Sequence, residues 1–595
     1  MTTHVRTERA PLLALIGAAL LFVVFALVYD KGQRAVISSD AEGYHAYLPA
    51  IFIRHDLGHE PYDSDYVHET PTGTLNKYTC GEALLLAPFF LIGHGLAQAF
   101  DLGPYPDAWT YGASTRVAAW SCSLLGLWFL NLLLRGLYVR PGPRAWVVAS
   151  LAGGTQLLQY TSMHPGWSHA YSFFAVAAFL LSVQRLQRRY TVGRVVLTGA
   201  CLGLIILLRP SNALVALALP IVLGKDTWSF VKMLFARLQL FAASFLALLA
   251  MLSVQALLWH AQTGNWFEWS YRNEGFHWHD THTFHVLFGF RKGLFLYAPV
   301  LLVALIANVH LLRKDRIRGI SSLVYWGLVS FVIGAWWIWY YAGTFGHRVF
   351  IDHYPVFAIA WGLMLNDLKR QWLSVGTRVF MVLACAYHLW WAHKFNSYQL
   401  DDRGMDREKY RWVLTHEGPQ LHQALGAHDN VPPYSPNGLQ LLLEERCTVE
   451  EVGAHWNPGR IAEMVGPEKS RTNVCVLDSS AEYGPSFILP LDSTIRRPMF
   501  IEVTLWRYEE RPRDSFDALA VFTLEQPGLP AYYYNPGRLN PVPGGTAEHW
   551  RKLRYTVELP APKPGSELRF YIWNKGRARF LVDDLHARLW TVAPY

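Results

Sequence analysis

Charge is in short supply in this sequence. Only 16% of its 595 residues are Asp, Glu, Lys or Arg, against 52% hydrophobic, and the shortage is concentrated before about residue 395, where apolar runs of membrane length alternate with short polar loops. Those runs are nearly devoid of ionisable side chains, which argues against a transporter or flippase built on charge relays at mid-membrane. Cysteine is scarce as well, with six residues. Cys122, Cys201 and Cys385 fall within apolar runs and read as packing residues. Cys80, Cys447 and Cys475 fall outside them, and Cys447 with Cys475 can either pair in an oxidising compartment or stay as free thiols. The first apolar run has a basic start but no convincing small-residue cleavage site, so it reads as a retained signal anchor. The net charge of +8 calls for no nucleic acid, because the loops between the runs supply it.

What is present is a polytopic α-helical membrane protein followed by a soluble domain. About eleven spans are expected, several short of the roughly 20 residues a bilayer asks for: Pro11 to Tyr29, Val117 to Leu134, Ala145 to Tyr160, Trp167 to Val183, Val195 to Leu208, Asn212 to Leu223, Leu238 to Leu258, Gly293 to Leu312, Leu323 to Tyr341, Tyr354 to Leu365 and Val379 to Trp391. The segment Ala83 to Phe100 is apolar enough to span but carries Pro88, His94 and two glycines. If it lies in the interface, Arg135, Arg140, Arg144, Arg185, Arg188, Arg189, Arg194, Lys225, Lys232, Arg237, Arg313, Lys314, Arg316, Arg318, Lys369 and Arg370 all share the side of Arg6 and Arg9. The positive-inside rule is then obeyed throughout, with a cytoplasmic N-terminus in a plasma (inner) membrane.

With that topology the polar residues gather on the outer face. The most informative stretch, SSDAEGYHAYLP at residues 38–49, comes directly after the first span and places Asp40 and Glu42 among Tyr44, His45 and Tyr47. Other outer loops bring Lys77-Tyr78, His164 to His169, Arg209 to Asn212, Trp266 to His277 with Arg272 and Glu274, Arg291-Lys292, and Trp336 to Tyr341 with His347, Arg348 and Asp352. A site built from several outer loops is the natural expectation. Outside the cytoplasm there is no supply of nucleotide sugars or ATP, so synthetic group transfer there needs a donor carried by the membrane, and a lipid-linked phosphosugar is the obvious one. Arginine or lysine can hold its phosphate, aromatic rings can cover its sugar or first isoprene units, and a carboxylate can take the proton of an attacking hydroxyl. Departure of the lipid phosphate develops negative charge where those cations lie.

An acidic D-x-D or D-x-E motif in the first outer loop, many spans, a basic residue in a later outer loop and a soluble C-terminal domain together resemble the GT-C superfamily of integral-membrane glycosyltransferases. That superfamily includes protein O-mannosyltransferases and the aminoarabinose transferases of lipid A. The resemblance covers about residues 1 to 395 and is strongest from Asp40 to Tyr47. It implies inverting transfer from a polyprenyl-phosphate or polyprenyl-diphosphate sugar to a glycan, lipid or protein acceptor, with Asp40 as base. Glu42 matches the second acidic position, which in some members helps bind a divalent metal. Glutamate there departs from the D-x-D form and leaves a need for Mg or Mn open. Interfacial helices in an outer loop at residues 30–116 also fit.

Each candidate has a plainer reading. Ser39 and Asp40 can cap a helix beginning at Ala41; on such a helix Asp40 and Tyr44, four apart, share a face. Lys77, Arg209, Arg272 and Arg348 are the candidate phosphate ligands. Arg209 at a span end can equally snorkel to headgroups, Arg272 can pair with Glu274, and Arg348 with Asp352. Glu42, Tyr44, Tyr47, His169 and Tyr340 are the candidate substrate contacts. His164 and His169, five apart, make an unpersuasive metal pair, and Trp336 to Tyr341 suits the headgroup level of any span. A polymerase or ligase of lipid-linked glycans is the near alternative function, a lipid or sugar transporter the distant one.

Residues 396–430 read as a linker along the membrane surface. From 431 to 595, alternating segments separated by turns at Asn535-Pro536-Gly537 and Pro543-Gly544-Gly545 predict an extracytoplasmic β-sandwich of jelly-roll type. Its ending, YIWNKGRARFLVDDLHARLW, is similar to the last strands of carbohydrate-binding-module-like sandwiches. Tyr532, Tyr533, Tyr534 and Trp550 favour packing over glycan contact, and Asp583-Asp584 a turn over calcium.

Overall fold

The computed structural model describes residues 8–32, 34–60, 66–272, 274–418, 430–435, 438–467, 471–509, 518–539 and 548–593. Arg6 and the turn at Pro543-Gly544-Gly545 lie outside the described residues. Two compact units emerge. The first takes Met1–Arg272, Thr281–Gly334 and Phe345–His393, and the second takes Asn273–Asp280, Ala335–Thr344 and Lys394–Tyr595.

The first unit is helical. Among the described residues eight helices are long and apolar enough to cross a membrane: Arg9–Val28, Gly81–Ala99, Trp109–Gly136, Pro210–Ala236, Leu238–Thr263, Arg316–Ala335, Arg348–Asp367 and Gln371–Asn396. Seven coincide with expected spans. The other four expected spans do not meet that test of length and composition, because they are interrupted, shorter or more polar. Ala145 to Tyr160 breaks at Thr155, which is extended between the helices Pro141–Gly154 and Leu157–Ser162. Gly293 to Leu312 breaks at Ala298 before Pro299, leaving Leu294–Tyr297 and Leu301–Lys314. Val192–Leu208 has only 17 residues, and His169–Arg188 dilutes its apolar face with Ser, Gln and Arg. Leu238–Thr263 shows its side chains outward along nearly all its length, Leu246 being 64% exposed. An exposed aliphatic face of that length belongs in lipid. Arg348–Asp367, by contrast, is buried almost throughout.

The two ends of this unit differ chemically. At one end Arg144 reaches Glu8 at 2.8 Å and Asn131 at 2.9 Å, Arg140 donates to the Asn366 carbonyl at 2.6 Å, Arg188 to the Gly136 carbonyl at 2.7 Å and Gln187 to Asp226 at 2.8 Å. Arg318 donates to the carbonyls of Ile221 and Val222. These contacts join the basic loops into one layer. His169–Arg188 starts at the other end, as does Trp109–Gly136 beside it: Gly126 packs on Phe173 and Gly136 on Gln184, so the two helices run parallel.

Gly81–Ala99 meets the length and composition of a span and packs beside the first half of Trp109–Gly136, running the opposite way: Gly93 abuts Thr110 and Ser114, while Glu82 lies by Cys122. Gly81 abuts Leu207 and Leu208 at the close of Val192–Leu208.

In the second unit Phe276 bridges to Trp336 and the His277 N–H donates to the Ala335 carbonyl at 2.6 Å. A short helix, Arg407–Thr415, is capped by Asp406, which accepts from the N–H groups of Glu408 and Lys409. Strands then form two antiparallel sheets. In chain order after the β1–β2 hairpin of the first unit (Val67–Thr70 and Gly73–Asn76), they are β3 Leu439–Cys447, β4 Trp456–Asn457, β5 Ile461–Val465, β6 Arg471–Leu477, β7 Tyr483–Pro490, β8 Met499–Tyr508, β9 Leu519–Glu525, β10 Tyr533–Arg538, β11 Arg551–Leu559, β12 Glu567–Trp573 and β13 Phe580–Val592. One sheet is ordered β10-β9-β12-β7-β4; the other is β11-β8-β13-β6-β5, with β3 also on β13. Alternate residues of both face a single core that includes Phe487, Ile501, Phe522, Phe570 and Leu585, the period-two burial expected of a sandwich. Cys447 and Cys475 are buried there as free thiols. Tyr532 and Tyr533 tie their hydroxyls to Ser566 and the Glu558 carbonyl, and the Trp550 indole N–H donates to the Val465 carbonyl. Tyr534 alone of the four is exposed. At Asp583-Asp584 the register of β13 slips, and the Asp584 N–H donates to Asp583 Oδ1 at 2.7 Å, so this pair builds a bulge.

Candidate active site

The acidic motif forms a helix, Asp40–Pro49, that begins at Asp40 itself. Ser39 precedes it with φ 58° and caps nothing with its side chain. The capping role open to Asp40 is therefore not the one it takes. Its Oδ2 lies 2.8 Å from Arg348 Nη1, and its Oδ1 accepts from the Tyr78 hydroxyl at 3.0 Å. The Asp40 side chain keeps 21% exposure while that of Arg348 keeps 8%.

Three loops far apart in sequence make this contact. Tyr78 reaches Asp40 because position 43 is glycine: a Cβ there would overlap the Tyr78 ring. The same ring lies 4.4 Å from that of Tyr44, so Asp40 and Tyr44 do share a face, and Tyr78 covers it. Arg348 stacks its guanidinium over the Trp167 ring at 4.1 Å, a placement that stabilises a half-desolvated cation. Lys77 stands over Tyr78 and Tyr271, 5.6 and 5.7 Å from their centroids. Ser168 donates to the Tyr44 hydroxyl at 3.2 Å. Tyr47 donates to the Tyr78 carbonyl at 2.6 Å, fixing the Lys77-Tyr78 segment from below.

Beside this cluster lies a second. Arg348–His353 is a 3-10 turn, and Asp352 on it is fully buried. Its carboxylate meets His169 Nδ1 at 2.9 Å, accepts from Asn212 Nδ2 at 2.8 Å and lies 3.5 Å from Arg209 Nε. The ion pair of Arg348 with Asp352 that spacing allowed is replaced by Asp40 with Arg348 and Asp352 with Arg209 and His169. A buried carboxylate needs such partners, and in satisfying it the fold fixes both the His169 end of its helix and the turn that carries Arg348. His164 packs its ring on Tyr160 and Trp167, apart from any ligand role with His169.

The electrostatics follow from the geometry. Burial alone would raise the Asp40 carboxyl, but the Arg348 guanidinium, Lys77 and the Tyr78 hydroxyl together outweigh it and hold it at about 2. The Tyr78 phenol is pushed the other way by burial and by the Asp40 charge, so it remains a proton donor to the carboxylate.

The remaining candidates are placed as follows. Glu42 is half-buried two residues along the helix, its N–H donating to the Ser39 carbonyl at 3.0 Å. Arg272 donates to the Glu69 carbonyl at 2.5 Å, on the hairpin β1–β2, a partner far in sequence from the Glu274 that spacing suggested. Tyr340 belongs to the second unit, buried with its ring 5.6 Å from Trp339. Among the described residues no group of three or more His, Cys, Asp or Glu side chains converges as metal ligands. Asp40 faces Arg348 and the Tyr78 hydroxyl, and Glu42 stands two residues along the same helix.

Sequence reasoning passed over Trp167 as a partner of Arg348, and it gave Glu82 no attention. Glu82 is fully buried in the first turn of Gly81–Ala99, and neither carboxylate oxygen has a hydrogen-bond partner among the described residues. Its signal was available, since an acid one residue into an apolar helix is anomalous in itself.

No protein-family model matches the sequence, and no curated protein is significantly similar to it. Among solved structures, the chain is similar to the Archaeoglobus fulgidus oligosaccharyltransferase AglB, solved in complex with an inhibitory peptide and a dolichol-phosphate (12% identity, 69% of this chain and 60% of that one, TM-score 0.40). It is also similar to ArnT from Cupriavidus metallidurans bound to undecaprenyl phosphate (15% identity, 64% of this chain and 70% of that one, TM-score 0.40). The chain spans less than two thirds of the length of the oligosaccharyltransferase. Its C-terminal part is similar to the CBM22-1 xylan-binding domain of Paenibacillus barcinonensis Xyn10C (18% identity, 27% of this chain and all of that one, TM-score 0.17). These likenesses are of chain path alone.

Proposed function

We propose that this protein is a membrane glycosyltransferase that moves a sugar from a polyprenyl-phosphate donor to an acceptor hydroxyl on the extracytoplasmic face, with inversion. The observation that supports it best is Asp40 held 2.8 Å from Arg348, with Lys77 close by and the whole cluster at the bundle end opposite the basic layer. One carboxylate beside two cations is what inverting displacement of a phosphate needs.

Arg348 has two anionic partners in this reading. At rest it neutralises Asp40; when the donor phosphate arrives, the guanidinium turns to it, and Lys77 adds a second positive charge. Asp40, relieved of the ion pair, becomes basic enough to accept a proton. The acceptor oxygen then bonds to the anomeric carbon while its proton passes to Asp40. The bond from that carbon to the phosphate oxygen breaks, with its electron pair leaving on the phosphate. The lipid phosphate gains negative charge in this step, which strengthens its attraction to Arg348 and Lys77 along the reaction coordinate. Arg209, partly engaged by Asp352, holds the turn beneath Arg348, and Tyr44 and Tyr78 supply aromatic faces for the sugar.

The test is to incubate the purified protein with a panel of radiolabelled polyprenyl-phosphate sugars and hydroxyl acceptors, following release of polyprenyl phosphate. Donor- and acceptor-dependent release that Asp40→Asn abolishes is the expected result. Absence of transfer from every donor, together with movement of the intact lipid across vesicle membranes, would overturn the proposal.

A further inference from the structure

Rising from the basic layer, a groove of about 900 Å³ is bounded by Trp109–Gly136, His169–Arg188 and Val192–Leu208, with Leu85 of Gly81–Ala99 at its upper part. That is near the top of the range for small-molecule sites. Its walls are apolar, with Phe129 stacked on Phe174 at 5.7 Å and Leu197 and Leu204 opposite. Its foot holds Arg185, Arg188, Arg189 and Arg194, and no acidic residue lines it.

Two of these arginines are used locally. Arg188 donates to the Gly136 carbonyl, and Arg194 donates to the Arg185 carbonyl at 2.6 Å, completing a helix C-terminus. Arg185 and Arg189 are exposed, and their guanidinium groups make no hydrogen bond or ion pair to a described residue. Ordinary positive-inside anchoring explains basic residues at this level, but it does not explain an open apolar groove rising from them.

We propose that this groove binds one diacyl phospholipid with an anionic headgroup, from the leaflet opposite the candidate active site. Charge sets the headgroup: four guanidinium groups with no carboxylate in the lining suit a phosphodiester, because the arginine fork can bind phosphate bidentately. Depth leaves room for tails. From Arg188 to Phe174 the groove rises about 21 Å at the helical 1.5 Å per residue, within a hydrocarbon core of about 30 Å, and its walls there are apolar. The polyprenyl donor is a poor occupant, because its phosphate belongs with Arg348 at the far end of His169–Arg188. Neither the charge nor the depth of the groove depends on the transferase reading.

The full-length protein, stripped of lipid in detergent, is titrated with phosphatidylglycerol, phosphatidylcholine or undecaprenyl phosphate, following bound lipid by native mass spectrometry and Tm by intrinsic fluorescence. Phosphatidylglycerol is expected to bind one to one and raise Tm at concentrations at which phosphatidylcholine does neither. R185Q with R189Q should weaken that binding at least tenfold while leaving lipid-free Tm unchanged, whereas R313Q with R316Q, at the same level outside the groove, should not. If the double variant fails to fold, Ala178→Trp, which fills the groove and leaves its charge intact, should displace the lipid. Equal binding of the two phospholipids, tighter binding of undecaprenyl phosphate, or equal weakening by both arginine pairs would overturn the proposal. The native chain's lipid preference decides the matter even where every variant misfolds.

Discussion

Replacing Asp40 by asparagine separates two roles that ordinary loss of activity would confound. A carboxyl moved from 3.8 to about 2 represents about 2 kcal/mol of net stabilisation of its charged form. On the competition scheme, the donor phosphate must draw Arg348 away from that interaction before it binds fully. Asparagine keeps the size of the side chain and removes its charge, so Arg348 becomes available at lower cost. The expected result is opposite movement of two constants. Binding of a non-transferable polyprenyl phosphate tightens by up to about thirtyfold, the equivalent of about 2 kcal/mol, while kcat falls by about 10² to 10⁴ for want of a base. Calorimetric or fluorescence titration measures the first and radiolabelled transfer the second. If Asp40→Asn binds the lipid phosphate more weakly than the native chain, or turns over within threefold of it, Asp40 and Arg348 are not related as described.

Asp352→Asn leaves the partly exposed Arg209 and the buried His169 around a neutral side chain, so it should cost up to about 3 kcal/mol and lower Tm by several degrees in detergent; an unchanged Tm would mean that the cluster is not structural. In the β domain, burial raises the Asp583 carboxyl to about 6. A raised acid favours the folded state when protonated, so stability falls as pH climbs from about 4 to about 6 and the penalty persists above that. Asp583→Asn should accordingly raise the Tm of the β-domain transition more at pH 7.5 than at pH 4.5, and equal shifts at both would refute it. A cysteine placed at Asp107, in the turn between Gly81–Ala99 and Trp109–Gly136, should react with an impermeant maleimide from the same side as one placed in the exposed Leu529 turn of the β domain. Labelling from opposite sides would reverse the topology.

How far the sequence disclosed this arrangement depends on the range of the interactions involved. Asp40 with Tyr44 on one helical face, the gathering of basic loops at one end and the β-sandwich all follow from short periods or from bulk composition, and these were legible. Arg348 stood out as a candidate, but not its partner: Asp352 is four residues away in sequence, whereas Asp40 is brought in by tertiary packing that no local pattern encodes. The expected spans are not single helices where one residue interrupts an apolar run, at Thr155 and before Pro299, because hydropathy averages over a break that backbone geometry does not. Arg272 looked available for phosphate only because the carbonyl it binds, on the hairpin at Glu69, lies some two hundred residues earlier.

The contact between Gly43 and the Tyr78 ring bears on how this protein responds to engineering. By local criteria Gly43 is a weak residue in the interior of its helix, and alanine there would be favoured by about 1 kcal/mol. A search for thermostable variants would select that change early. The added methyl group occupies the place of the Tyr78 ring, so Tyr78 withdraws and Asp40 loses the hydroxyl that orients it. Gains in heat resistance obtained at this position would be expected to come with lost turnover, and the helix at the mouth of the site is one that selection for stability alone would rebuild incorrectly.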